Sequence, residues 1–272
     1  MQGLKAPRRR MLYLALCWWA GSRAVQAAHS PPRAEASPEP AGHDRILHLG
    51  ANQHAITQLV ASALLHDICS RAGYTLKLEP LPGRRATLMA LSGAIDGEVA
   101  RIAPYAADHP PLVRVDPPYY GLTTGIFVRK GFSTVVRSVD DLATLHVGVV
   151  GGEVHAELAA RHARSVLDVG TYDQLYKLLD AGRVDVVIDT GISGDAEIRR
   201  LGLASRLVHQ GDIARFDLHA ILVPHRADVA PLLGKVIRTM HDSGELARLT
   251  RDYERQIVEL WVAQSAASQA AQ

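Results

Sequence analysis

The sequence predicts an α/β protein built as two similar lobes with a ligand cleft between them. Three observations predict it. Residues 172–191, YDQLYKLLDAGRVDVVIDTG, set Leu175, Leu178 and Leu179 at helical spacing, follow them with Gly182, and run on into the apolar, β-branched stretch 184–188. A weaker copy lies earlier: Ala86, Met89 and Ala90 form a helical stripe, Gly93 breaks it, and IDGEVAR at 95–101 leads into a strand ending on a charge. The chain has 272 residues and is 47% hydrophobic, enough for two lobes of roughly 100 residues each. Ligands of open α/β sheets sit beyond the carboxyl ends of the strands, which places Asp189 where a ligand would be. Helix–glycine–strand punctuation is also shared by any doubly wound α/β protein, so that plainer reading stays open.

Composition narrows the function. Aromatic residues make up only 5% of the chain, too few for a base-stacking nucleic-acid surface. The formal charge of +2 comes from residues 1–27, which hold Lys5, Arg8, Arg9, Arg10 and Arg23 and no acid; beyond them 25 basic residues face 28 acidic ones, a net charge of −3. No nucleic-acid partner is expected. Of two cysteines, Cys17 falls in the leader, so Cys69 stands alone and reads as a small core residue.

In chain order, residues 1–27 have the three parts of a cleavable signal peptide: a basic start, the apolar run 11–21, and small residues around Ala27. A periplasmic location follows. Residues 28–44, rich in Pro, Ala, Glu and Ser, read as a flexible linker. A strand at 46–50 ends in the loop Ala51-Asn52-Gln53-His54, and Ile56, Leu59, Val60, Ala63, Leu64 and Ile68 form a helical stripe. Residues 74–79 alternate like a strand, and LPGRR at 81–85 is a turn carrying Arg84 and Arg85. Residues 101–118 are Pro-, Asp- and His-rich and irregular; Tyr119 and Tyr120 precede a strand at 125–129. Ser138 to Leu142 opens a helix. A strand at 146–150 meets Gly151-Gly152-Glu153 and a helix at 154–162, a glycine-bearing strand-to-helix turn whose free backbone N–H groups suit an anion. Strands at 166–169 and 216–223, a short helix at 195–201 and two closing helices at 231–241 and 244–258 complete the pattern, and residues 264–272 read as frayed.

The candidate ligand-binding residues are Asn52, Arg84, Arg85, Arg101, Tyr119, Gly151, Gly152, Glu153 and Asp189. Arg101 reads either as a bidentate grip on a ligand carboxylate or as a structural arginine paired with Glu98. Asp189 would take a donor or cation, or cap the next helix. Thirteen histidines include no HxH or HExxH, so no metal site is expected, and no cofactor. No GxSxG or other nucleophile motif occurs, so no catalytic residue is assigned.

Taken together, the leader, the opening strand, the run from Arg85 to Asp96, Ser138-Val139-Asp140-Asp141-Leu142 before His146-Val147-Gly148-Val149, the unit from Leu175 to Thr190 and the closing helices resemble the bacterial extracellular solute-binding proteins of family 3. The resemblance covers nearly all of 45–260. It implies a type II periplasmic-binding-protein fold, each lobe a mixed sheet flanked by helices. The first lobe would span 45–128, the second 129–215, and 216–260 would return to the first, leaving 261–272 as a tail. It implies a non-catalytic monomer that captures an anionic or zwitterionic solute, amino-acid-like or an organic acid, for an ABC-type permease or a membrane sensor. In amino-acid-binding members an arginine of the first lobe grips the ligand carboxylate and an aspartate of the second takes the ammonium. Asp189 matches that aspartate. The arginine's position reads IAPYAADH at 102–109, with Arg101 four residues nearer the strand, and Asn52-Gln53-His54 replaces the family's stacking aromatic residue. A cyclic-acid dehydratase-like enzyme and an orphan interaction module are the alternatives.

Overall fold

In a computed structural model, which describes residues 45–270 with side chains through residue 263, the chain starts as a parallel βαβ unit. Strand β1 (Ile46–Ala51) leads through helix α1 (Ile56–Arg71) to β2 (Thr75–Pro80), paired with β1 from Ile46 opposite Thr75 to Ala51 opposite Pro80. Helix α2 (Gly83–Leu91) then crosses to β3 (Gly97–Ile102) on the other side of β1. The Pro-rich stretch expected to be irregular carries a single short helix, α3 (Tyr105–Asp108), and the two-residue strand β4 (Val113–Arg114). The signal peptide and linker expected at 1–44 lie outside the described residues.

The second lobe is entered along β5 (Tyr120–Arg129). A 3₁₀ turn over Val139–Thr144 follows, capped reciprocally by Ser138 and Asp141. The chain continues through β6 (His146–Val150), α4 (Val154–Ala160), β7 (Ser165–Val169), α5 (Tyr172–Asp180), β8 (Val186–Thr190) and α6 (Gly191–Arg200). It returns along β9 (Leu207–Leu222) and closes with α7 (Ala230–Asp242) and α8 (Glu245–Ala270). The strand order is β2-β1-β3-β9-β5-β8-β6-β7, with β4 on β9. Pairing is parallel within each βαβ unit and antiparallel where β9 meets β3 and β5 and where β5 meets β8.

β5 and β9 are the two strands common to both lobes. Tyr120–Thr124 pairs with Ala214–Leu218 at the crossing, and beyond it Thr124–Val128 pairs with β8. β5 therefore pairs with both β9 and β8 from Thr124 onward. β9 is 16 residues long rather than the expected eight. Its first half, LVHQGDIA, is mostly half-buried or exposed and has no apolar alternation to mark it as a strand. The closing helix also outruns expectation. It continues through residue 270 rather than fraying, because its Ala- and Gln-rich end favours helix and Trp261 is anchored, as described below.

Each lobe has its own core. In the first, Leu47 and Leu49 of β1 pack with Ile56, Val60, Leu64 and Ile68 of α1 and with Leu233, Ile237 and Met240 of α7. Cys69 sits there with no exposed surface. In the second, strand alternation divides the sheet's two faces. Ile126, Val128, Val186 and Ile188 face Leu142, Ala156 and Ala160, whereas Phe127 and Val187 face Leu175, Tyr176 and Leu179. Among the described residues no helix is long and apolar enough to cross a membrane.

Candidate functional site

The carboxyl ends of β1, β6 and β7 converge where the lobes meet. Asn52 follows β1, Gly151–Gly152–Glu153 follow β6, and Gly170–Thr171–Tyr172 follow β7. The lobes touch here. Asn52 Nδ2 donates to Glu153 Oε1 at 3.3 Å, the Thr57 and Thr190 hydroxyls lie 3.0 Å apart, and Arg84 Nη2 donates to Glu157 Oε1 at 2.9 Å. Gly83 explains how the approach is so close: a Cβ on it would stand 3.2 Å from the Gly152 carbonyl oxygen. Gly152 itself has φ +91°, a left-handed conformation that favours glycine.

Among the described residues, two adjoining spaces open at this junction. The inner cavity, about 20 Å³, is bounded by Glu98, Arg101 and Gln58 of the first lobe and by Gly152 and Glu153 of the second. The outer chamber, about 370 Å³, is lined by His54 and Pro82, by Gly151, by Tyr172 and Asp173, by Glu197 and Arg200 of α6, and by Trp261 of α8. Asn52, Gly83, Gly152 and Glu153 form the wall shared by both.

Arg101 is the residue whose environment differs most from an open ligand grip. Its Nε donates to Glu98 Oε2 at 2.8 Å, its Nη2 makes a close contact with the same oxygen, and Nη2 also donates to the Gly83 carbonyl at 2.8 Å. The Tyr105 ring lies 4.8 Å from the guanidinium, and the Tyr105 hydroxyl donates to Glu98 Oε1 at 2.5 Å. On a regular strand, residues three apart point to opposite faces. β3 is irregular in register between Glu98 and Arg101, which brings both side chains to one side. Of the two roles open to Arg101, the structure shows the salt-bridged one, and no hydrogen bond to its Nη1 is present among the described residues.

The glycine turn after β6 is similarly occupied. Gly151 N donates to the Val169 carbonyl at 3.1 Å, Gly152 N to Glu157 Oε1 at 2.7 Å, and Glu153 N to the Val150 carbonyl at 3.3 Å. The expected anion seat already holds the chain's own Glu157 carboxylate. Glu153 accepts hydrogen bonds from Tyr172 Oη at 2.9 Å and from Asn52. Burial pushes its carboxyl above the ordinary value, opposed by the Tyr172 bond and by the nearby positive charge of Arg101.

The remaining candidates fall elsewhere. Arg84 lies at the lip of the cleft, largely exposed, bridging to Glu157 and, at 3.9 Å, to Asp168. Arg85 is exposed and lines neither space. Tyr119 is buried at the back of the crossing, its hydroxyl donating to the Val99 carbonyl at 2.8 Å. Asp189 is buried rather than facing the chamber. Its Oδ2 accepts from Tyr176 Oη at 3.1 Å and its Oδ1 from Thr190 N at 2.7 Å. Burial raises its carboxyl well above the ordinary range, and Glu153 and Glu197 raise it further. Gly194 makes room for this arrangement, since a Cβ there would overlap Phe127 and Tyr176.

Sequence reasoning did not name Tyr172, Glu197, Arg200 or Trp261. Glu197 is buried and held by Arg200, whose Nε and Nη2 donate at 2.9 and 2.7 Å; Trp261 Nε1 donates to its other oxygen at 2.6 Å. Arg200 also reaches Asp173, which Lys177 pairs as well. Helix α8 runs from Glu245, bonded to Arg71 of the first lobe, past Glu254 at the crossing, to Trp261 against α6 of the second. A tryptophan in the otherwise small-residue end of the chain was the available signal. Among the described residues no group of three or more His, Cys, Asp or Glu is placed to hold a metal ion.

No protein-family model matches the chain, and no curated protein matches it. Solved structures do. An amino acid ABC transporter substrate-binding protein, AbpA, from Streptococcus pneumoniae, bound to L-arginine, superposes with a TM-score of 0.65 at 18% identity, covering 79% of this chain and 97% of that one. A histidine kinase sensor domain with similarity to periplasmic binding proteins gives 0.64 at 18%, covering 77% and 97%. An ancestral amino acid-binding protein, described as a precursor of cyclohexadienyl dehydratase, gives 0.62 at 14%, covering 78% and 96%. The chain has the two-lobed type II periplasmic-binding-protein fold.

Proposed function

We propose that this chain is an exported solute-binding protein of the periplasm, which captures a small polar solute by closing its lobes and presents it to an ABC-type permease or a membrane sensor. One observation carries the reading. A chamber of about 370 Å³ is walled by loops of both lobes, at the carboxyl ends of β1, β6 and β7, while β5 and β9 are the two strands joining those lobes. Its volume falls within the range of small-molecule sites. Rotation about two shared strands opens and closes such a chamber, which is hinge closure around a ligand.

Capture without turnover is supported by the fate of the two carboxylates an enzyme would draw on. Glu98 is bonded to Arg101 and Tyr105, and Asp189 is buried behind Tyr176. The test is thermal unfolding against a broad panel of small polar solutes. One compound at about 100 times its dissociation constant adds roughly 2.7 kcal/mol of stability and is recovered intact by mass spectrometry. Consumption of that compound makes the chain an enzyme. Silence across the whole panel makes it an interaction module.

A further inference from the structure

Two carboxylate seats are expected of this cleft, and the chain fills both with its own acids. Glu98, 1% exposed, takes Nε and Nη2 of Arg101. Glu157 takes the backbone N–H of Gly152. The room left beside Arg101 is about 20 Å³, enough for one water and not for a carboxylate. A ligand carboxylate reaching Nη1 would be the third anion, after Glu98 and Glu153, around one guanidinium.

The outer chamber presents the opposite polarity. Glu197 and Asp173 share Arg200, and Asp173 has Lys177 besides. Glu153 is different: its hydrogen-bond partners, Tyr172 and Asn52, are both neutral. It stands in the wall between the two spaces, and Tyr172 and Trp261 line the same chamber. A carboxylate that takes hydrogen bonds only from neutral donors, with Arg101 near it but bonded to Glu98, in a chamber that also holds aromatic residues, suits an organic cation, through a charge-assisted hydrogen bond and ring–cation attraction.

From this geometry we infer that the solute is a small organic cation, an amine or guanidine without a carboxylate, held at Glu153 between Tyr172 and Trp261. The inference rests on the solute-binding reading and departs from the anionic or zwitterionic solute that the sequence suggests.

Agmatine and L-arginine differ in the carboxylate alone and make the decisive pair, with putrescine and succinate alongside. Calorimetric titration of the intact purified protein is expected to give agmatine or putrescine a dissociation constant at least tenfold below that of L-arginine, with no heat from succinate. Glu153→Gln is expected to weaken the amine at least tenfold while its unfolding midpoint without ligand stays near that of the parent, because glutamine can still accept from Tyr172 and Asn52 and Arg101 keeps its bonds to Glu98. L-arginine or succinate binding tighter than agmatine overturns the inference and leaves solute capture standing. Full agmatine affinity in Glu153→Gln overturns the assignment of Glu153. Failure of all four probes overturns the inference, and the broad panel then decides whether capture of any solute survives.

Discussion

Replacing Glu98 by leucine tests whether Arg101 is a structural partner or an open grip. The carboxylate is 2% exposed and the arginine side chain 12% exposed, so both charges have left water. Leucine removes the bonds from Arg101 Nε and Nη2 and the bond from the Tyr105 hydroxyl, leaving the guanidinium with the neutral Gly83 carbonyl and a long bond to the Thr87 hydroxyl. Removing one member of a buried ion pair costs about 3–5 kcal/mol, because the other charge is left uncompensated. For a domain of this size that corresponds to a fall of about 6–20 °C in the unfolding midpoint. Arg101→Met is expected to cost a similar amount, and the double variant Glu98→Leu/Arg101→Met much less than the sum of the two, since no lone charge remains. Urea unfolding of the four proteins gives the coupling. Additive losses, or a loss under about 1 kcal/mol for Glu98→Leu, would refute the pairing and return Arg101 to the ligand.

Three further expectations follow from buried polar groups. Burial holds His155 at about 4, below the ordinary 6.5, so between those values the unfolded chain takes up a proton that the folded chain does not; stability falls as pH falls through this window, by up to roughly 3 kcal/mol, and His155→Gln should flatten that slope in urea titrations at pH 7, 5.5 and 4. Asp189 has its carboxyl raised by burial, so its ionisation as pH rises to 7 subtracts stability; Asp189→Asn should remove that part of the pH dependence when urea unfolding at pH 7 is compared with low pH, and an unchanged pH dependence would contradict the assignment. Trp261→Phe keeps an aromatic ring but removes the N–H donor to buried Glu197 Oε1; it should cost about 1.5 kcal/mol and weaken solute binding, and unchanged unfolding would show that the end of α8 is not anchored there.

The parts of the fold legible in the sequence were those with a period. The stripe of α1, the helix α5 and the β-branched run of β8 each carry a local apolar pattern that their burial explains. The first half of β9 carries none, because it is stabilised by pairing with β5 and not by burial of alternate residues. At the site, the loop positions of Asn52, Gly152 and Glu153 followed from strand ends, which are local. The state of Arg101 did not, because it turns on an irregularity within β3 that puts Glu98 on the same side. The occupation of the glycine turn by Glu157, five residues on, is local but depends on rotamer and helix start. Trp261 reaches Glu197 across 64 positions of sequence, a proximity no window reveals.

The paired run of β5 and β9 through the crossing has a mechanical consequence. Tyr120 opposite Leu218 through Thr124 opposite Ala214 form an antiparallel ladder, so the lobes cannot slide lengthwise without breaking backbone hydrogen bonds. Two-stranded ribbons tolerate a wide range of twist. The compliant coordinate is therefore torsion of the ribbon about its own axis. Under such torsion displacement grows with distance from that axis, while the ladder itself barely changes length.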